Sequence, residues 1–450
     1  MSAIAQKLES IVGTAAVREW STLDATQRQS LTAAIAPGSV PDCVVSPHTP
    51  EELAEIVTCA DRENWRMIPS GSGSKLHWGG FASGADLVLS TRHLDRPIEH
   101  AVDDFTLTVE AGMKLTQIQA MLAKTQQFLA IDPAYAETAT IGGIVATADT
   151  GSWRQRYNSV RDQLLGISFC RADGQLVKAG GRVVKNVAGY DLMKLMTGAY
   201  GTLGIATQVT FRLYPIPEES QTIVLTGTAE ATATAAQTLL SSALTPTAAD
   251  WLSAQLVAQL NLGAGLGLMV RFQSLSESVR EQSDRVLEVG DRLGLSGKIY
   301  RDETERDLWQ RSRSLLELPA GDDRVLCKIG VKPTAAVAAI AQLETLLPQR
   351  AIGLIHASSG LGKIVIRGES PIDRLTRLRS WCQSHSGFLT VLAAPLAVKQ
   401  RIEVWGYSGN ALGVMQAIQQ KFDPKGLLNP DRFLGIDISR NGLSATQKPW

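Results

Sequence analysis

The sequence has no excess of either charge: 44 Lys and Arg balance 44 Asp and Glu. No basic excess therefore points to nucleic acid, and no like-charge block reads as a tail. Cysteine is scarce, with five in 450 residues. Cys43, Cys59, Cys170, Cys327 and Cys382 form no C-x-x-C pair. Their odd number argues against a disulfide framework, and their spacing argues against an iron–sulfur cluster held by this chain. Isolated thiols in a reducing cytoplasm are the simplest expectation. Long apolar runs are missing too. The longest candidate, Gly387 to Val398, is broken by Pro395 and falls short of the ~20 residues that span a bilayer. The first ten residues carry Lys7 and Glu9 where a secretory signal would be apolar.

The common phosphate fingerprints fail as well. Gly71-Ser72-Gly73 is followed by Leu76 where the dinucleotide motif needs a third glycine. Gly360-Leu361-Gly362-Lys363 lacks the upstream glycine of a P-loop, and Ile364 replaces its Ser or Thr. No H-E-x-x-H and no G-x-S-x-G occurs. What is present is an ordinary globular balance, 44% hydrophobic and 20% charged.

The chain divides into four stretches by pattern. Residues 1–36 read as a polar helical lead-in. Residues 37–218 mix helices and strands. Thr49-Pro50-Glu51-Glu52 combines an N-cap, a proline at N1 and a glutamate at N3. Leu53, Ile56, Val57 and Ala60 then recur at helical spacing. Asp173-Gly174 separates two apolar runs, a hairpin signal. Ile205 to Leu213 alternates with period two and stops before Pro215-Ile216-Pro217. Residues 219–407 show the order β-α-β-β-α-β twice, around a helical linker at 303–318. Either two ferredoxin-like halves or a chance alternation within an α+β region explains this. Residues 408–450 begin with a helix and continue into the turns of Asp423-Pro424, Gly426 and Asn429-Pro430.

Small residues cluster in three places: Pro69–Ser74, Thr140–Gly151, and Gly180–Gly181 through Asp191 to Tyr200–Ile205. Converging backbone N–H groups in such loops bind phosphate without a lysine. Glycine also lets backbone approach a ligand closely. One such cluster is commonly a tight bend. Three within residues 70–205 are better explained by a single extended, nucleotide-like ligand.

These segments, with Arg161-Asp162 and the closing Phe422–Pro430, resemble the FAD-binding domain of vanillyl-alcohol-oxidase/PCMH-type flavoproteins. Gly181–Leu192 and Val404-Trp405-Gly406 resemble the smaller FAD-binding subunit of glycolate oxidase (glycolate dehydrogenase). The resemblance implies an α+β chain: a PCMH-type FAD-binding domain at 37–218, a cap of two ferredoxin-like halves at 219–407, and a segment at 408–450 that returns to the first domain. It implies that Ser70, Gly71, Ser72, Gly73 and Ser74 hold the FAD pyrophosphate. Thr140, Gly142, Gly143, Ala146 and Thr147 would line the ribityl and ring region, and Gly204 and Ile205 the cofactor's other end. Members with covalent flavin often carry a histidine in the first loop. Ser74 stands there, with His77 three residues on, so non-covalent FAD is expected.

Relatives that oxidise 2-hydroxy acids often carry two histidines in an H-x-G-D-G-N-x-H-like segment that binds metal. The comparable stretch here is His356 to Lys363, with lysine at the second position. One imidazole beside a lysine is a poor divalent site, so no metal is expected. His356 is then either a pocket histidine or a catalytic base. Arg271 and Arg367 are either carboxylate clamps or sheet-edge surface arginines. Three readings follow. The chain is an FAD subunit that oxidises glycolate to glyoxylate beside a larger FAD subunit and an iron–sulfur subunit. It is a self-sufficient 2-hydroxy-acid (D-lactate-like) dehydrogenase. Or it is a flavin-holding scaffold. The missing second histidine favours the first and third. The expected setting is cytoplasmic, with membrane association only through partners.

Overall fold

A computed structural model describes residues 2–183, 189–368 and 372–433. The helix Pro50–Glu63 forms where the capping residues place it. Thr49 Oγ1 accepts a hydrogen bond from Glu52 N at 3.1 Å, and Asn64 closes the helix in the left-handed region at φ 57°. Its apolar face, Leu53, Ile56, Val57 and Ala60, is buried against Met67, Leu87 and Leu89 of a four-stranded sheet. The strand order there is Val17–Glu19, Cys43–Val45, Leu87–Ser90, Met67–Ser70. The last three run parallel, and Val17–Glu19 is antiparallel at the edge. The lead-in is therefore not purely helical. Between the helices Ala3–Val12 and Ala25–Thr32 it gives a strand to this sheet. Three residues, Val-Arg-Glu, are too few to show a period.

A second, antiparallel sheet has the order Pro97–Ala101, Thr106–Glu110, Ile205–Arg212, Leu164–Cys170, Leu176–Gly180. Between its last two strands Gly174 turns at φ 84°, and Asp173 Oδ1 accepts from Gln175 N. Helices Leu115–Leu122, Ile141–Thr147 and Leu192–Met196 pack on this sheet around Val109, Ile144, Ile167, Met196 and Val209. The two sheets meet at Gly71 and Thr140. A Cβ on Gly71 would overlap Thr140 Oγ1, so this junction closes only with glycine.

The cap is one antiparallel sheet of eight strands, ordered Ser296–Arg301, Glu219–Gly227, Leu266–Ser274, Ala248–Leu252, Ala351–His356, Leu361–Ile366, Val325–Gly330, Phe388–Ala393. Each group of four has the strand order of a split βαβ unit. The two join through their second strands, with Asp250 opposite His356 and Leu252 opposite Leu354. Two ferredoxin-like halves are thus fused edge to edge, which leaves fewer free edges than two separate sheets would.

The closing motif returns to the first sheet. Met67 N donates to Leu427 O at 2.7 Å, and Asn429 N to Met67 O at 2.9 Å. Of the Gly181–Leu192 motif, residues 184–188 lie outside the described residues. Among the described residues no helix is long and apolar enough to cross a membrane.

Candidate functional site

Two adjoining clefts share Thr147 and Tyr200. The first lies between the two small sheets and takes in about 860 Å³, part of it open to solvent. Ser70, Gly71, Ser72, Gly73, Ser74, Thr140, Gly142, Gly143, Ala146, Thr147, Gly204 and Ile205 all line it, together with Asn429 and Arg432 of the closing segment. Thr140 caps the helix Ile141–Thr147, its Oγ1 accepting from Gly143 N at 3.4 Å. The adjacent glycines serve different ends. A Cβ on Gly142 would stand 2.8 Å from the Ala111 carbonyl oxygen, so the fold itself requires that glycine. A Cβ on Gly143 would meet only Thr140 Oγ1, at 3.2 Å, and otherwise point into space. This open cradle of small residues fits a dinucleotide laid along it.

The second cleft, also about 860 Å³, lies between the first cleft and the cap sheet. His356 faces it from the seam of the cap. Its Nδ1 is 2.6 Å from Asp250 Oδ1, and Asp250 is fully buried. The carboxylate holds the ring by Nδ1 and leaves Nε2 as the nitrogen turned away from it. His356 Nε2 makes no hydrogen bond among the described residues. This is the arrangement of an oriented general base.

Charge in the second cleft is arranged around Asp149. Lys75 Nζ lies 2.8 Å from its Oδ2 and Lys363 Nζ 3.0 Å from its Oδ1, while Ala134 N donates to Oδ2 at 2.7 Å. Burial alone would raise the Asp149 carboxyl, but the two ammoniums outweigh it and hold it below the usual carboxylate range. Lys328 stands directly across from Lys363 on the next strand, so both side chains share one face. Lys328 has no ion-pair partner among the described residues, and burial pushes its pKa down. Arg154 and Arg313 border the same cleft. Asp132 accepts from Gly151 N and Trp153 N at 3.1 Å each, and burial raises its carboxyl to about 6.

The two arginines singled out in the sequence are not brought here; neither lines the second cleft. Arg271 Nε is 2.9 Å from Glu305 Oε1 and 2.9 Å from Ser220 Oγ, so its guanidinium is already engaged within the cap. Arg367 is exposed, with Nη2 3.2 Å from Gln259 Oε1. Ser74 lines the first cleft and His77 does not. His77 is buried, its Nε2 3.2 Å from Tyr135 Oη. Sequence reasoning missed Asp250, Lys328, Asp149 and Arg313. A buried aspartate inside Ala-Ala-Asp-Trp-Leu was the one visible signal.

The fold and the first cleft together define a flavin-binding oxidoreductase. Residues 41–180 match the family described as FAD binding domain. It is 24% identical to "Glycolate oxidase subunit GlcD" of Bacillus subtilis over 89% of this chain and 91% of that protein. It is 35% identical to "Glycolate oxidase subunit GlcE" of Escherichia coli, over 38% of this chain and 48% of that protein. Among solved structures, p-cresol methylhydroxylase with substrate bound superposes with a TM-score of 0.74 at 16% identity, covering 97% of both chains. FAD is the cofactor, and the chain is an enzyme of redox type.

Proposed function

We propose that this chain oxidises a small 2-hydroxy acid in the second cleft, with glycolate, going to glyoxylate, as the first candidate. The observation that carries this reading is the His356–Asp250 pair facing a cleft that shares Thr147 and Tyr200 with the cofactor cleft. Bound FAD, held without a covalent link, supplies the acceptor for a hydride. His356 Nε2 takes the α-hydroxyl proton while Asp250 holds the ring and balances the imidazolium. Lys328 and Arg313 receive the substrate carboxylate, a charge-assisted pairing that needs no metal. The sheet places Lys328 one strand beyond Lys363, which is tied to Asp149. Tyr200, nearly fully buried, walls both clefts and excludes water.

Likeness to two subunits of glycolate oxidase supports a place in a complex, beside a larger FAD subunit and an iron–sulfur subunit that take the electrons on. We place it in the cytoplasm, reaching a membrane only through such partners. A second reading, a self-sufficient dehydrogenase, is favoured by the base and the carboxylate-binding cations being assembled in one chain. Flavin reduction by glycolate and D-lactate in the purified chain, with and without partners, separates the two. A chain that binds FAD but is reduced by no 2-hydroxy acid, alone or in complex, would refute both.

A further inference from the structure

Arg432 is 3% exposed, yet no carboxylate pairs with it among the described residues. Its Nη2 donates to Leu76 O at 2.7 Å and to Trp78 O at 3.2 Å. Its Nη1 stands 3.5 Å from Asn429 Oδ1, and its Nε has no partner. Lys399, also buried, donates to the two alternate carbonyls, His77 O at 2.6 Å and Gly79 O at 2.8 Å. Two cations therefore interleave along residues 76–79. Burial lowers the pKa of both, Lys399 to about 7 and Arg432 to about 10, and the Arg432 charge adds to the effect on Lys399.

Neutral donors would serve a mere clasp on four carbonyls as well, without the cost of burying charge. A buried donor left without a partner calls for an explanation of its own. The two cations differ in one respect. Arg432 lines the cofactor cleft beside Ser74 and Leu76, and Lys399 does not. From this geometry we infer that Arg432 is the charge partner of an anionic group of the bound FAD. Two parts of FAD have that chemistry: the pyrophosphate, and the ring edge that gains negative charge on reduction. The inference rests on the reading that this cleft takes FAD.

The test compares wild type with Arg432→Gln. Binding of FAD and of riboflavin to flavin-free protein is followed by fluorescence, and the midpoint potential of the loaded protein is measured. A pyrophosphate partner predicts that the Gln variant binds FAD roughly 10-fold or more weakly and riboflavin normally. A ring partner predicts nearly normal binding and a lowered midpoint potential, because the reduced form loses its counter-charge. Unchanged FAD binding and potential would overturn the inference. So would equal losses for FAD and riboflavin with a lowered melting temperature of the flavin-free protein, which would mark a structural clasp. If the Gln variant is insoluble, Arg432→His carries the test. Its FAD Kd or potential, taken relative to wild type, should worsen as pH rises from about 5.5 to 8 and the imidazole discharges; a flat ratio overturns the inference. Failure of wild type itself to bind FAD would instead refute the cofactor assignment.

Discussion

His356 and Asp250 face each other across the seam where the two halves of the cap sheet join, 2.6 Å apart from Nδ1 to Oδ1. Neither half alone holds both residues. The fusion places the proposed base and its orienting carboxylate on directly opposed positions of two strands. Asp250→Asn should keep FAD and fold but free the imidazole to change tautomer. Flavin reduction by substrate should slow by roughly 10²- to 10⁴-fold, as read by rapid mixing without oxygen. A variant within twofold of wild type would remove the orienting role.

Lys328 opposes Lys363 directly, an unfavourable pairing on a sheet. Lys363 shares the Asp149 carboxylate with Lys75, whereas Lys328 has no ion-pair partner among the described residues. Lys328→Met should therefore leave the melting temperature unchanged or higher. It should weaken substrate binding by about 10- to 100-fold, with less effect on the rate at saturation. Titration of substrate against the flavin spectrum measures this. Unchanged affinity would place the carboxylate elsewhere.

Gly143→Val should yield soluble protein without flavin, since its side chain would enter the cofactor cleft and meet little else. Gly142→Val should instead destabilise the fold itself, because its Cβ meets the Ala111 carbonyl. Flavin content against melting temperature separates the pair, and normal flavin in soluble Gly143→Val would contradict the placement of FAD along 140–147. In wild type, acid precipitation should leave all flavin in the supernatant.

Much of this was legible beforehand. The repeated β-α-β-β-α-β order follows from apolar periodicity, a local property, and the glycine clusters stand out by composition. The proposed catalytic constellation was not legible in the same way. Arg271 and Arg367 look alike in sequence, but only the fold shows Arg271 spent on Glu305 and Arg367 in solvent. Asp250 gains its proposed role from a strand 106 residues away, and Lys328 from lacking the carboxylate that its neighbour Lys363 has. Such pairings depend on which edge strands meet, and periodicity within one strand does not encode that.

Lys399 gives a pH signature. Its folded pKa, about 7, lies below that of an unfolded lysine. The unfolded chain therefore binds more protons between about pH 7 and the ordinary lysine value of ~10.4, and stability rises with pH there. Asp132, raised to about 6, loses its own contribution below that window. The flavin-free protein should melt higher at pH 8.5 than at pH 7, and Lys399→Met should flatten the slope. A falling melting temperature over this range in wild type, or an unchanged slope in the variant, would contradict the burial of an unpaired ammonium.

The central claim is that this one chain, carrying FAD, holds the base and carboxylate-binding groups for a 2-hydroxy acid. Anaerobic mixing of the purified, FAD-loaded chain with glycolate and with D-lactate tests it directly. At least one of them should bleach the flavin, with the rate unaffected by chelator and cut by roughly 10²-fold or more in His356→Asn. Bleaching at full rate in His356→Asn, or bleaching that a chelator abolishes, would contradict the account.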